Sequence, residues 1–176
     1  SMDKRAQLDG EPVGFIGHIE ALDDEKEAVK LLLDRIENDL IERGAKSVIA
    51  PRNDIMTLGL QISGFDLPQT WRTPHNPPYY EDYLEESGYR KKEDLLSFIM
   101  EEDSFVEGFK DAEGITVRTL NKSRFNTEIE IFNELNNSIF ASHENFIPRS
   151  LEEDRLIIGS ILDLIDEDLI LFAEDD

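Results

Sequence analysis

Three tyrosines lie within five residues, Tyr79, Tyr80 and Tyr83. A phenol can act as a general acid that gives a proton to a leaving group. Just upstream stand Trp71, the single tryptophan, with Arg72, His75 and Asn76, among Pro68, Pro74, Pro77 and Pro78. Aromatic, cationic and amide groups on a long loop suit the lining of a ligand pocket, and Trp71, Arg72, His75 and Tyr79 are its candidates. The same residues also suit a proline-stiffened cover over a sheet. A third group, Asp23-Asp24-Glu25, offers carboxylates where a helix begins. The histidines His18, His75 and His143 share no i, i+4 spacing and no His-Glu-x-x-His pattern. Cysteine is absent, which excludes a thiolate nucleophile, a disulfide framework and a Cys-based zinc site. No metal is expected. The remaining acid clusters lack the central Gly and terminal Glu of a calcium loop, and no Gly-x-Ser-x-Gly elbow surrounds a serine.

The 176 residues carry 18 basic against 40 acidic side chains, a net charge of −22. Phosphate repels such a chain, and so does an anionic membrane surface; neither nucleic acid nor a membrane is an expected partner. Apolar residues make up 39% of the sequence and recur in periodic blocks, which argues for a folded core. No leader-like segment and no apolar run of about 18 residues occurs, so a cytoplasmic, soluble protein is the expectation. Ser1-Met2 reads as a remnant of cloning ahead of a start Met and is set aside.

These groups need elements to position them. Pro12 to Leu22 reads as a strand, with Gly14 and Gly17 weakening or bulging it. Val29, Leu32, Leu33, Ile36 and Leu40 follow at helical spacing, opened by a capping box of Asp24 and Glu27 and stopped at Gly44. Lys46 to Ala50 reads as a short buried strand. Thr57 to Ser63 alternates apolar and polar as a half-buried strand. Gly64 to Pro78 is a loop, and Asn76-Pro77 reads as the N-cap and first position of a short helix ending near Gly88. Leu95 to Met100 is a further strand, and Glu101 to Gly114 a charged boundary. Ile115 to Leu120 alternates as a strand, and Phe125, Ile129, Phe132, Leu135 and Ile139 mark a helix. A second capping box, Ser150 with Glu153, opens a helix carrying Ile158, Ile161, Leu162 and Ile165. Leu169 to Ala173 reads as a buried strand.

The runs GFIGHIEALDDEKEAVKLLLDRIENDLIERGAKSVIAP, SGFDLPQ, HNPPYYEDYLEESGY and DLLSF resemble a branch of the GNAT acetyltransferase superfamily whose members carry two GNAT-like halves in tandem. The likeness covers about residues 13 to 100. Its most specific part is Gly64-Phe65-Asp66 with Asn76-Pro77-Pro78-Tyr79-Tyr80. Residues 115 to 174 resemble the opening of a second half. The resemblance implies an α+β fold with a mixed, mostly antiparallel sheet flanked by helices. It implies that residues 3–103 are the C-terminal portion of one GNAT-like half. Residues 104–176 would be a partial second lobe, able to complete one composite sheet, so the chain looks like the middle of a longer protein. Acyl-CoA-dependent N-acetyl transfer, with acetyl-CoA as cofactor, is the activity implied.

The family seats the cofactor pyrophosphate on a Gln/Arg-x-x-Gly-x-Gly/Ala turn at a helix N-terminus, where glycines let the backbone approach the anion. The matching turn, Ala21 to Glu25, has no glycine and three carboxylates, which suits helix capping better. The family's general-acid Tyr precedes a Gly by four residues. Gly88 keeps that Gly, but Leu84 holds the Tyr position, and Tyr83 is turned about 100° away on a helix. Tyr80 and Tyr83 remain the catalytic candidates beside a packing or pocket-lining role. Asn76 matches a family Asn at the cofactor, and its capping role explains it equally. Two readings stay open. One is a GNAT-like protein related to acyl-CoA-dependent N-acetyltransferases. The other is a non-catalytic binding or assembly module, for which a homodimer or a partner lobe would cover the sheet edges.

Overall fold

The computed structural model describes residues 1–53, 58–71, 73–98, 113–143 and 146–175. Two units divide the chain, Ser1–Leu95 and Leu96–Asp176; the expected boundary at 103/104 lies outside the described residues.

In the first unit, Asp9 and Gly10 both hold positive φ, 53° and 81°, the backbone of a two-residue hairpin turn whose twist matches its strands. They join β1 (Met2–Leu8) to β2 (Glu11–Phe15) in an antiparallel pair. The sequence expectation lacked β1 and set aside Met2, which is its first residue. β2 ends at Phe15 rather than running to Leu22. Gly17 marks a crossing of two chain segments: a Cβ there would stand 2.1 Å from the Arg52 carbonyl oxygen.

Helix α1 (Lys26–Glu42) crosses from β2 to β3 (Ser47–Ile49), and β3 pairs parallel with β2. A parallel pair needs such a crossover connection. The strand order is β1-β2-β3. Val29, Leu33 and Leu40 of α1 are buried and form the core with Ile16, Ala45, Tyr83 and Leu84. Leu32, expected on that stripe, is 59% exposed. The capping box at α1 does not form: Glu25 is the N-cap without a side-chain bond, and Asp24 holds φ 68°.

The expected strand over 57–63 reduces, among the described residues, to one antiparallel bridge between Arg52 and Leu58. Among the described residues no neighbouring strand runs far enough beside it to pair with its alternation. Helix α2 (Tyr80–Glu86) begins after Tyr79, three residues later than the Asn76 cap implied, and ends before Gly88. Leu95 to Phe98 are exposed and outside any strand, while the last two residues of that expected strand lie outside the described ones.

In the second unit, β4 (Ile115–Thr119) pairs antiparallel with β5 (Leu171–Asp175). β5 starts later than expected and is exposed rather than buried, with Leu171 63% accessible. Between them lie α3 (Phe125–Ile139) and α4 (Leu151–Gly159). The Ser150–Glu153 capping box closes in both directions, satisfying two backbone donors of the first turn. α4 stops at Gly159, so Ile161, Leu162 and Ile165 fall in tight turns and not on its stripe. Ion pairs are the buried polar centre here. Glu128, 2% exposed, takes Arg118 at 2.8 Å. Asp154, 1% exposed, pairs with Arg149 and accepts from Asn133 Nδ2 at 2.7 Å. Four helices and two small sheets, with two antiparallel pairings against one parallel, place the described residues in the α+β class. Among them no helix is long and apolar enough to cross a membrane.

Candidate functional site

Tyr80, Tyr83 and Leu84 fall at i, i+3 and i+4 on α2, one face of the helix, and all are buried. That face lays the phenols against the turn between β2 and α1. The Tyr79 hydroxyl donates to the Ala21 carbonyl at 3.0 Å, and the Tyr83 hydroxyl donates to the Leu22 carbonyl at 3.3 Å. The Tyr80 hydroxyl accepts from the Ala21 N–H at 2.8 Å, with a Glu20 carboxylate oxygen 3.5 Å away. The three rings touch, with centroids 5.2 to 6.4 Å apart. Three phenols thus hold one turn by its backbone. Leu84, which the resemblance set against a general-acid Tyr, is a core residue.

An open cleft of about 430 Å³ lies beside this clamp, lined by Asp23, Asp24, Lys26, Glu27, Tyr79, Asp82, Tyr83 and Glu86. Lys26 is its one cation and is bound to Glu86, whose carboxylate raises the ammonium pKa above the ordinary range. Loss of solvent around the Tyr79 hydroxyl, followed by Tyr80 and Asp23, pushes its pKa up as well. A phenol so shifted is a poorer proton donor at neutral pH.

A coenzyme A pyrophosphate at this turn would need free backbone N–H groups. The turn's Ala21 N–H goes to Tyr80, its Asp24 N–H to the Asp23 carboxylate at 3.1 Å, and its Glu25 N–H to the Leu22 carbonyl at 3.3 Å. An anion there would meet these three engaged donors and four nearby carboxylates, Asp23, Asp24, Glu27 and Asp82. Residues 21–25 do not fit that group.

Asn76 caps no helix. Its Oδ1 accepts from the Gln61 N–H at 2.8 Å, and its Nδ2 donates to the Gln61 carbonyl at 3.2 Å and the Pro77 carbonyl at 3.0 Å. The side chain pairs with Gln61 as a strand backbone would and closes the loop between them. Gln61, 9% exposed, is a residue that sequence reasoning missed; its only trace was a polar position in an apolar alternation. Trp71 and His75 are exposed on the loop, whereas Tyr80 and Tyr83 are buried, and Arg72 lies outside the described residues. No group of three or more His, Cys, Asp or Glu among the described residues is placed to hold a metal ion.

No protein-family profile matches the chain, and no solved structure matches it. Two curated proteins are similar along nearly its whole length. Protein YghO of Escherichia coli K12 is 31% identical over 176 residues, 95% of this chain and 45% of that protein. Bacterial ceramide synthase of Caulobacter vibrioides is 28% identical over 172 residues, 93% of this chain and 44% of the enzyme. The chain therefore spans a little under half the length of each of these relatives.

Proposed function

We propose that this chain is part of an acyltransferase that turns an amine into an amide, with a long-chain amino alcohol as acceptor. The observation that carries the reading is the likeness to a ceramide synthase over 93% of the chain, ceramide being the fatty amide of such a base. The GNAT-like resemblance points to the same reaction class, with an acyl-CoA thioester as donor. Residues 3–103 and 104–176 are read as portions of two GNAT-like lobes in tandem. The clamp of Tyr79, Tyr80 and Tyr83 serves to fix the turn at Ala21 and Leu22, and the donor's phosphates are held by residues other than 21–25. The net charge of −22 suits the acceptor, because an amine approaches as a cation and is steered by a negative field.

The test uses the protein expressed from its complete reading frame. It is incubated with a long-chain amino-diol and acyl-CoA thioesters of two to sixteen carbons, and products are read by mass spectrometry. The expected result is an N-acyl product whose yield depends on acyl length. No amide at any length, with the protein folded by circular dichroism, would replace this reading with that of a non-catalytic module.

A further inference from the structure

The alternation along β4 and β5 divides their side chains between two faces. One face holds the cross-strand partners Arg118 and Phe172 and turns toward α3. The Arg118 guanidinium lies 4.5 Å from the centre of the Phe172 ring and bonds Glu128 of α3 at 2.8 Å. The other face carries Ile115, Val117 and Thr119 of β4 opposite Asp175, Ala173 and Leu171 of β5. Among the described residues this second face is open, with Val117 61% and Leu171 63% exposed. An antiparallel sheet with one solvated side ordinarily carries polar residues there. Here the open face is the more apolar of the two and holds one charge, Asp175, at its corner.

A sheet of two strands is marginal in water, and among the described residues β5 has a hydrogen-bonded neighbour on one side only. The apolar face and the edge together tell its occupants apart. Lipid hydrocarbon would leave the outer backbone groups of β5 unpaired. A second copy would bring a further net charge of −22 against the first, which opposes association. A segment of the same polypeptide can pair with the edge, and its tether keeps its local concentration high. The curated relatives have the length for such a segment. The match takes in 45% of YghO and 44% of the ceramide synthase, so more than half of each lies outside it.

We propose that the open face of β4 and β5, with the outer edge of β5, is a docking surface inside the complete protein. Its occupant is a segment of the same polypeptide from outside these 176 residues. That segment extends the sheet beside β5 and lays apolar side chains over Val117, Leu171 and Ala173. The proposal rests on the reading that this chain is part of a longer protein, and it is independent of acyl transfer.

The test uses the protein expressed from its complete reading frame, with the photoreactive residue p-benzoylphenylalanine placed at position 117 or 171. After irradiation, cross-linked peptides are mapped by mass spectrometry. The expected result is a cross-link within one chain to a peptide outside these 176 residues, at a yield that does not change with protein concentration. A cross-link to a peptide within the 176 residues overturns the proposal. So does a cross-linked dimer, which identifies a second copy as the occupant, and so does no cross-link from either position. A reading frame with no residues outside these overturns it at once. As a second measurement, Leu171→Asp is expected to lower the melting temperature of the complete protein or to prevent its folding. An unchanged melting temperature, as for an uncovered surface residue, counts against the proposal. Amide formation, assayed on the same preparations, judges the acylation reading separately.

Discussion

Asn76→Asp keeps the shape of the side chain and removes one chemical property. The Oδ1 acceptor for the Gln61 N–H remains, while the Nδ2 donor to the Gln61 and Pro77 carbonyls, at 3.2 and 3.0 Å, becomes an oxygen. Two neutral hydrogen bonds lost at about 0.5–1.5 kcal/mol each give a deficit of about 1–3 kcal/mol. At neutral pH the new carboxylate also faces two carbonyl oxygens, so folding raises its pKa above the unfolded value of about 3.9. The sign follows: the charged form is disfavoured in the folded state. The deficit is smallest below pH about 4, where the protonated group can still donate one bond. It grows as pH rises through the unfolded pKa and levels off above the folded one. Urea and thermal unfolding at pH 4, 5.5 and 7.5, followed by far-ultraviolet circular dichroism, measure this. Each kcal/mol corresponds to about 2–4 °C for a chain of this size. Asn76→Ala removes all three hydrogen bonds and should lose about 1.5–4.5 kcal/mol with no added pH dependence. Unfolding of Asn76→Asp that matches the native protein at every pH would refute the brace and return Asn76 to the role of a ligand contact.

Gly17→Ala would place a Cβ 2.1 Å from the Arg52 carbonyl oxygen; a loss of about 3 kcal/mol or failure to fold is expected, and a native melting temperature would contradict the crossing. Arg118→Ala strands Glu128, which is 2% exposed and whose Oε1 already lacks a partner. A loss of about 3–5 kcal/mol in urea unfolding is expected, and a loss under about 1 kcal/mol would count against it. Burial, and then the 2.6 Å hydrogen bond to Glu37, push the Tyr89 phenol well above its ordinary range. The unfolded chain therefore ionises first, and stability falls as pH rises past about 10. Tyr89→Phe should flatten that fall between pH 9 and 11 in urea titrations, and an unchanged slope would refute the assignment.

Helices with their own signals were legible. Val29, Leu33 and Leu40 mark α1, and Ser150 with Glu153 marks the start of α4, because spacing and capping act within a few residues. β1 carried a legible sign, the Asp9-Gly10 turn, that was overlooked in favour of the start at Pro12. The strand expected over 57–63 fails for a different reason. Its alternation fits a pleated surface, but a strand exists only where a neighbour offers a matching row of hydrogen bonds. The capping box at Asp24 and Glu27 fails similarly, since Asp24 is turned to φ 68° in the turn that the tyrosines grip from α2.

The α+β class and the acidity are properties of the sequence itself, since each is a matter of composition or local period. The roles of the candidate residues were not. That Asn76 braces Gln61 fifteen residues away, and that Tyr79, Tyr80 and Tyr83 hold the backbone at Ala21 and Leu22 about sixty residues upstream, is decided by packing α2 against α1 and the turn before it. Hydrogen bonds are directional and short, so which donor meets which acceptor is set only when the tertiary fold brings distant backbone into reach.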